Sequence, residues 1–296
     1  MAAGARSLFE LAQQAEQRGN REGRDLWDRY ATHRAQIRQV LLTQAPPPGK
    51  DPGPKLCLMG AGNANDLDLT AIGAAFAEVH LVDIDPSALA RATGRQEAPV
   101  RAKLRCHGGV DLSGLFRQMG GKPARAKAAS GPRASDLVDA GTSEVLGALP
   151  GGFDVVASCC MLSQMSWALR ELGGFEPEEL PSFEQALLTI HLRTLLGLLA
   201  PGGTAILFAD LVSSAVYPLD ELEPDTDLAA LVQKLSDARS AVTVCNPGFI
   251  RQLLRRDPVL VARAAPPEMG QPWLWTGSKD LTFLVYPLIL RGKDNG

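Results

Sequence analysis

Histidine and cysteine are scarce in this chain, and their placement excludes several chemistries. The four histidines, His33, His80, His107 and His191, include no pair at metal-site spacing, and no Ser/His/Asp or Cys/His constellation for nucleophilic catalysis is visible. Five cysteines are an odd number with no Cys-x-x-Cys among them, so free thiols in a reducing cytoplasm are expected. Charge of one sign is also lacking. Thirty Lys and Arg against 33 Asp and Glu leave a net charge of −3, and a pI near 5.9 supplies no basic field to hold nucleic acid. No apolar run reaches the roughly 18 residues of a membrane span. The start, Met1 to Ser7, lacks the apolar core of a signal peptide, which again points to the cytoplasm.

What is present is ordinary for a globular protein: 45% hydrophobic and 21% charged residues. A chain of 296 residues can bury one large core, or a core with an appended cap. Against that background one stretch stands out. The apolar run Lys55-Leu56-Cys57-Leu58-Met59 breaks at Gly60-Ala61-Gly62, and the polar turn Asn63-Ala64-Asn65-Asp66 leads into a helix-compatible segment. This reads as strand, tight turn and helix start, with glycines letting the backbone approach a ligand and the helix N-terminus offering free N–H donors. About twenty residues on, Val79-His80-Leu81-Val82-Asp83-Ile84 is a second strand ending in an acid. An acid at that strand tip can accept both hydroxyls of a ribose. The third glycine of a dinucleotide fingerprint would fall at Asn65, so that pattern fails.

The remaining chain supplies a cap, a linker and further alternation. Residues 1–43 read as helical, with a possible break at Gly19-Asn20 and Gly23; Trp27, Tyr30, Arg34, Ile37 and Leu41 make one face. Arg34 is the odd member. Either its stem packs and its head reaches solvent, or this helix covers a site where Tyr30 and Arg34 face the ligand and Arg34 holds a carboxylate. The Pro/Gly-rich run around 44–54 is a linker. The division expected is 1–48 as helical cap and linker and 49–296 as core, with insertions at about 113–152 and 212–245.

From residue 55 onward successive βα units are expected, with strands near 55–59, 79–83, 100–106, 153–159 and 204–211 and helices near 65–77 and 182–199. The small, basic run Gly120 to Arg133 reads as a solvated loop; the alternative is a patch for an anionic substrate or RNA phosphates, although no aromatics are interleaved to stack bases. An amphipathic helix is expected around 227–239 and another from Asn246-Pro247-Gly248. Strands near 272–275 and 281–290 should pair as an antiparallel hairpin, with Pro287 demanding either a bulge or a strand assignment shifted by some residues.

The stretch 55–67 with Asp83 resembles motif I and the ribose-binding acid of the class I S-adenosylmethionine (SAM)-dependent methyltransferases. Phe153 to Met165 resembles their motif IV, Gly108-Gly109-Val110-Asp111-Leu112 resembles motif III, and the helix–Pro201-Gly202-Gly203–strand segment matches as well. Leu58 replaces a common acid and Ala64 a frequent third glycine. The resemblance implies an α/β fold: a seven-stranded, mostly parallel sheet with helices on both faces, a C-terminal antiparallel hairpin and the helical cap. It implies SAM as cofactor, held by Gly60, Ala61, Gly62, Asn65, Asp66, Asp83, Ile84, Asp111, Leu112, Ser158 and Cys159. The acceptor implied is a small molecule, methylated on O, N or S by direct displacement, with Ser163 beside Tyr30 and Arg34 in substrate binding. Gln164 and Asp210 are the candidates for orienting or deprotonating it. The alternatives are an NAD(P)-dependent oxidoreductase, a SAM-fold binding subunit without catalysis, and an RNA methyltransferase; the last is disfavoured by the missing Asn/Asp-Pro-Pro-Tyr/Phe tetrapeptide, and membrane partners are not expected.

Overall fold

Side-chain alternation decides where the sheet is buried. Along the strand Lys55–Met59 (β1), Leu56 and Leu58 join one hydrophobic cluster while Cys57 and Met59 join another. A strand apolar on both faces lies inside a two-sided sheet. The computed structural model describes residues 6–47, 49, 53–119, 133–238, 243–277 and 280–293. Two helices, α1 (Leu8–Glu22) and α2 (Ala31–Thr43), precede β1. After it come α3 (Leu69–Ala75), β2 (Glu78–Asp83), α4 (Pro86–Gly94), the short α5 (Ala98–Arg101) and β3 (Leu104–Gly108). The chain continues through α6 (Val138–Gly147), β4 (Phe153–Cys159), α7 (Leu162–Leu172), α8 (Leu180–Gly197) and β5 (Leu199–Ser213). It closes with α9 (Leu228–Asp237), α10 (Pro247–Arg256), α11 (Pro258–Arg263), β6 (Glu268–Met269), β7 (Trp273–Thr276) and β8 (Thr282–Arg291).

The sheet order is β3-β2-β1-β4-β5-β8, parallel through β5, with β8 antiparallel to β5. β6 and β7 pair with successive stretches of β8. The eight strands thus fill the seven positions expected, and β7–β8 is the C-terminal hairpin. Leu8 and Ala12 of α1 and the apolar residues of α6, α7 and α8 cover one face. Ile37 and Leu41 of α2 join Leu69, Ile72 and Leu89 on the other, so α2 packs directly into the core.

Several expectations shift by a local cause. The helix after the glycine turn starts at Leu69, because the Asp68 side chain caps it by accepting the Ala71 N–H. Its N-terminus therefore does not stand directly behind the glycines. Pro99 begins α5 where a strand was expected, and β3 is displaced to 104–108. Within 113–152, α6 is a regular crossover helix, while 120–132 of the basic run lie outside the described residues. Trp27 is 39% exposed and lies before α2, so the proposed five-residue face is cut to its C-terminal part. No bulge forms at Pro287, which pairs in register with Phe208. Its carbonyl accepts Gly270 N–H, so its missing donor points at the gap between β6 and β7. The register shift in that pair lies instead between Asp210 and Val212.

Candidate active site

β1 leads outward to β2 and β3, whereas β4 leads the other way to β5. The carboxyl ends of β1 and β4 therefore flank the point where strand order reverses, the place at which open α/β sheets bind ligands. A cleft of about 730 Å³ opens there.

The turn after β1 forms one wall. Gly60 and Gly62 have φ of +77° and +45°, values that a side chain would strain. A Cβ on Gly62 would come within 3.1 Å of Asn20 Oδ1. The turn is tied to the neighbouring strand tip: Gly60 and Ala61 donate to the Val82 carbonyl, and Gly62 N–H donates to Asp83 Oδ2 at 2.8 Å. Asp85 N–H donates to Asp83 Oδ1 at 2.8 Å. The Ile84 N–H also interacts with the carboxylate, which keeps the rest of its acceptor capacity for a ligand. Burial pushes Asp83 up to about 6, opposed by those backbone donors.

α1 crosses this wall. Gln13 donates to the Ile84 carbonyl at 2.9 Å, Asn20 to Asp85 at 3.2 Å, and Asn63 to the Asn20 carbonyl at 2.6 Å. Glu16, one helical turn from both Gln13 and Asn20, lines the cleft. Burial, then the nearby Asp83 and Asp85, raise it to about 7. Gln13, Glu16 and Asn20 were not singled out from the sequence; their shared helical face of polar residues was the available signal.

Asp210, at the β5 tip, forms the opposite end. Ser163 Oγ donates to its Oδ2 at 2.6 Å, while its buried Oδ1 has no hydrogen-bond partner among the described residues. Burial raises Asp210 to about 6, against the Ser163 hydrogen bond. Asp66 also lines the cleft, raised to about 7 mainly by burial. Beside it Tyr30 meets Trp275 edge-on at 5.0 Å, and Trp275 stacks on Phe283 at 5.3 Å; all three face the cleft. Cys160 and Met161, beyond the residues anticipated on β4, complete the floor.

Most residues expected from sequence meet here, but four are engaged otherwise. Ser158 is fully buried and pairs with His191 Nε2 at 2.9 Å, behind the cleft floor. Arg34 does not line the cleft: it donates to the carbonyls of Trp27 and Asn65, both at 2.7 Å, with its guanidinium 3.5 Å over the Trp27 ring. Its Nη1 is spent on those two carbonyls, away from the cleft where an acceptor would lie. Asn65 and Asp111 line the cleft with occupied side chains. The Asn65 amide donates to the Gly23 carbonyl at 2.7 Å, and Asp111 accepts from the backbone N–H groups of Ser113 and Arg117. Gln164 donates weakly, at 3.4 Å, to the carbonyl of Cys160 and lines the cleft with Ser163, Ile84 and Leu112.

The donor set fits an adenosyl sulfonium ligand. A side-chain-poor turn abuts a buried carboxylate suited to a diol, and the cleft carries Glu16, Glu22, Asp66, Asp83, Asp111 and Asp210 against Arg18. No family model and no curated protein matches the chain. Among solved structures, the YcgJ protein of Bacillus subtilis aligns with 12% identity and a TM-score of 0.45, over 88% of this chain and 100% of that one. The N-methyltransferase NodS of Bradyrhizobium japonicum aligns with 11% identity and a TM-score of 0.40, over 88% and 97%. An O-methyltransferase family protein of Burkholderia thailandensis gives 11% and 0.39, over 88% of this chain and 57% of that one.

Proposed function

We propose that this protein is a SAM-dependent methyltransferase acting on O, N or S of a small molecule. The observation that carries the reading is the join at the switch point, where the Gly60–Gly62 turn is held against the Asp83 carboxylate by the 2.8 Å Gly62 hydrogen bond. Asp83 would take the ribose hydroxyls, with Ile84 and Leu112 against the adenine; Asp111, whose Oδ1 is taken by Ser113, would have only Oδ2, beside its Arg117 hydrogen bond, for the adenine edge. Gly60 to Gly62 and Asp66 would receive the methionine end, and Cys159 the sulfonium side. Bound SAM would supply an activated methyl group. The chain's own contribution is to align the acceptor, exclude water and take a proton; Gln164, Ser163 and Asp210 would carry those tasks.

A nicotinamide cofactor is disfavoured, because Asn65 occupies the third-glycine position and its side chain is bound to Gly23. Five free cysteines, four of them buried, support placing the reaction in the cytoplasm. Among the described residues no helix is long and apolar enough to cross a membrane. Titration calorimetry tests the reading: SAM and S-adenosylhomocysteine should bind and NAD(H) should not. Binding of NAD(H) in preference to either would overturn it. Label from methyl-labelled SAM should then appear in a low-molecular-weight product of a metabolite extract; tight SAM binding with no transfer would favour a binding subunit.

A further inference from the structure

The far end of the cleft is built for a charge opposite to the one Arg34 suggested. Asp210 is 8% exposed, and its Oδ1 has no hydrogen-bond partner among the described residues. No lysine or arginine forms an ion pair with it among those residues, whereas buried Glu184 has Arg170 and buried Asp83 and Asp111, also without an ion pair, accept backbone N–H groups on both oxygens. A buried carboxylate with an empty acceptor lobe and no counter-charge is costly unless a proton, a hydrogen-bond donor or a cation completes it, and a cationic donor supplies both charge and hydrogen bond. The surroundings specify the rest. Asp210 pairs with Val285, and Val285 is two residues from Phe283 on β8, so Asp210 shares a sheet face with Phe283 and its partner Trp275. With Tyr30, these rings wall the same cleft, and aromatic faces attract cations.

Resting on the methyltransferase reading, we propose that the acceptor is an amine with an apolar or aromatic body, its ammonium held by Asp210 Oδ1 and its body packed against Trp275, Phe283 and Tyr30. Ser163 fixes the carboxylate by donating to Oδ2, and Oδ1 is the oxygen without a hydrogen-bond partner among the described residues. In the reaction the ammonium passes one proton to Asp210 Oδ1. The freed nitrogen lone pair forms the N–C bond while the C–S bond of SAM breaks, its electron pair remaining on sulfur as S-adenosylhomocysteine forms. The proton then leaves to solvent. Glu16, Asp66, Cys160, Cys245 and Tyr286 are the other titratable groups that face the acid cluster or Asp210 itself.

The test uses the full chain saturated with S-adenosylhomocysteine and titrated calorimetrically with tryptamine, 2-phenylethylamine and hexylamine, each beside its alcohol and carboxylic acid counterpart. At least one amine should bind ten-fold or more tightly than its neutral and anionic counterparts. Asp210→Asn should remove that preference while leaving S-adenosylhomocysteine affinity within about three-fold, which also reports that the variant is folded. The wild-type preference stands independently of any variant. Equal binding across the three charge types, preference for the acid, or no amine binding to the S-adenosylhomocysteine complex would overturn the amine assignment. Failure of S-adenosylhomocysteine itself to bind would instead remove the methyltransferase reading beneath it.

Discussion

Replacing Asp83 by asparagine should separate ligand affinity from stability. In the wild type, Oδ1 and Oδ2 accept backbone N–H groups of Asp85 and Gly62 at 2.8 Å each, and the carboxylate is raised from its ordinary 3.8 to about 6 by burial. Hydrogen bonds to a charged group contribute roughly 1.5–3 kcal/mol each. Losing the charge and one acceptor opposite a ribose diol should therefore cost about 3 kcal/mol of affinity, close to 100-fold in Kd. Stability changes differently. A shift of about two pKa units corresponds to roughly 3 kcal/mol of unfavourable carboxylate burial at neutral pH, which the amide relieves. Against this, one of the two backbone donors loses its acceptor, at about 1–3 kcal/mol. The two nearly cancel, so Tm should move by no more than about 5 °C. Calorimetric titration with S-adenosylhomocysteine beside a thermal melt of the apo protein measures both. An unchanged Kd, or an affinity loss matched by a large fall in Tm, would refute the assignment of Asp83 as a ligand group.

Three further outcomes follow from the same geometry. Glu16, Asp66, Asp83 and Asp210 all titrate above their ordinary values, between about 6 and 7, so the fold holds protons on these four carboxyls that the unfolded chain releases. Buried His33 and His191, lowered to about 3 and 4, and His80 and His107, lowered by burial, act in the opposite sense. Asp210→Asn removes one contribution that falls as pH rises, so the stability of the variant relative to wild type should rise from about pH 5 to 7; a difference that stays constant or falls would contradict this. Asn63→Ala removes the Nδ2 donor to the Asn20 carbonyl and the acceptor for Arg91 Nε, so amide exchange across α1 should quicken by about ten-fold for roughly 1–1.5 kcal/mol lost. Exchange confined to its former rate would show that α1 is held by its apolar contacts alone. Tyr286→Phe takes the hydroxyl donor from the buried Cys245 carbonyl at 2.7 Å and should cost about 1–3 kcal/mol in urea unfolding; a midpoint unchanged from wild type would mean that carbonyl finds another donor.

Much of the architecture was legible in the chain because it is carried by local signals. The apolar runs at Lys55–Met59 and Phe153–Cys159 gave strands almost residue for residue, and Asn246-Pro247 gave the cap and first turn of α10. Boundaries slipped where a single residue changed the local optimum, as Asp68 did for α3 and Pro99 for α5. The site divides in the same way. Gly60, Gly62 and Asp83 were readable because backbone strain and a strand-end acid leave marks in one dimension. Ser158 and Arg34 were not, because whether a polar side chain faces a ligand or a neighbour depends on what folds beside it.

Amino-acid order by itself determined the strand–turn–acid unit and the alternation that makes an open sheet, since both follow from neighbouring residues and their periodicity. Only the tertiary structure decided what stands over that unit. It laid the Gln13, Glu16 and Asn20 face of α1 against residues some 43 to 71 positions away. It turned Ser158 toward His191 and left Asp210 Oδ1 without a hydrogen-bond partner among the described residues. Those outcomes come from long-range packing, in which the backbone of one segment satisfies or orphans the polar groups of another.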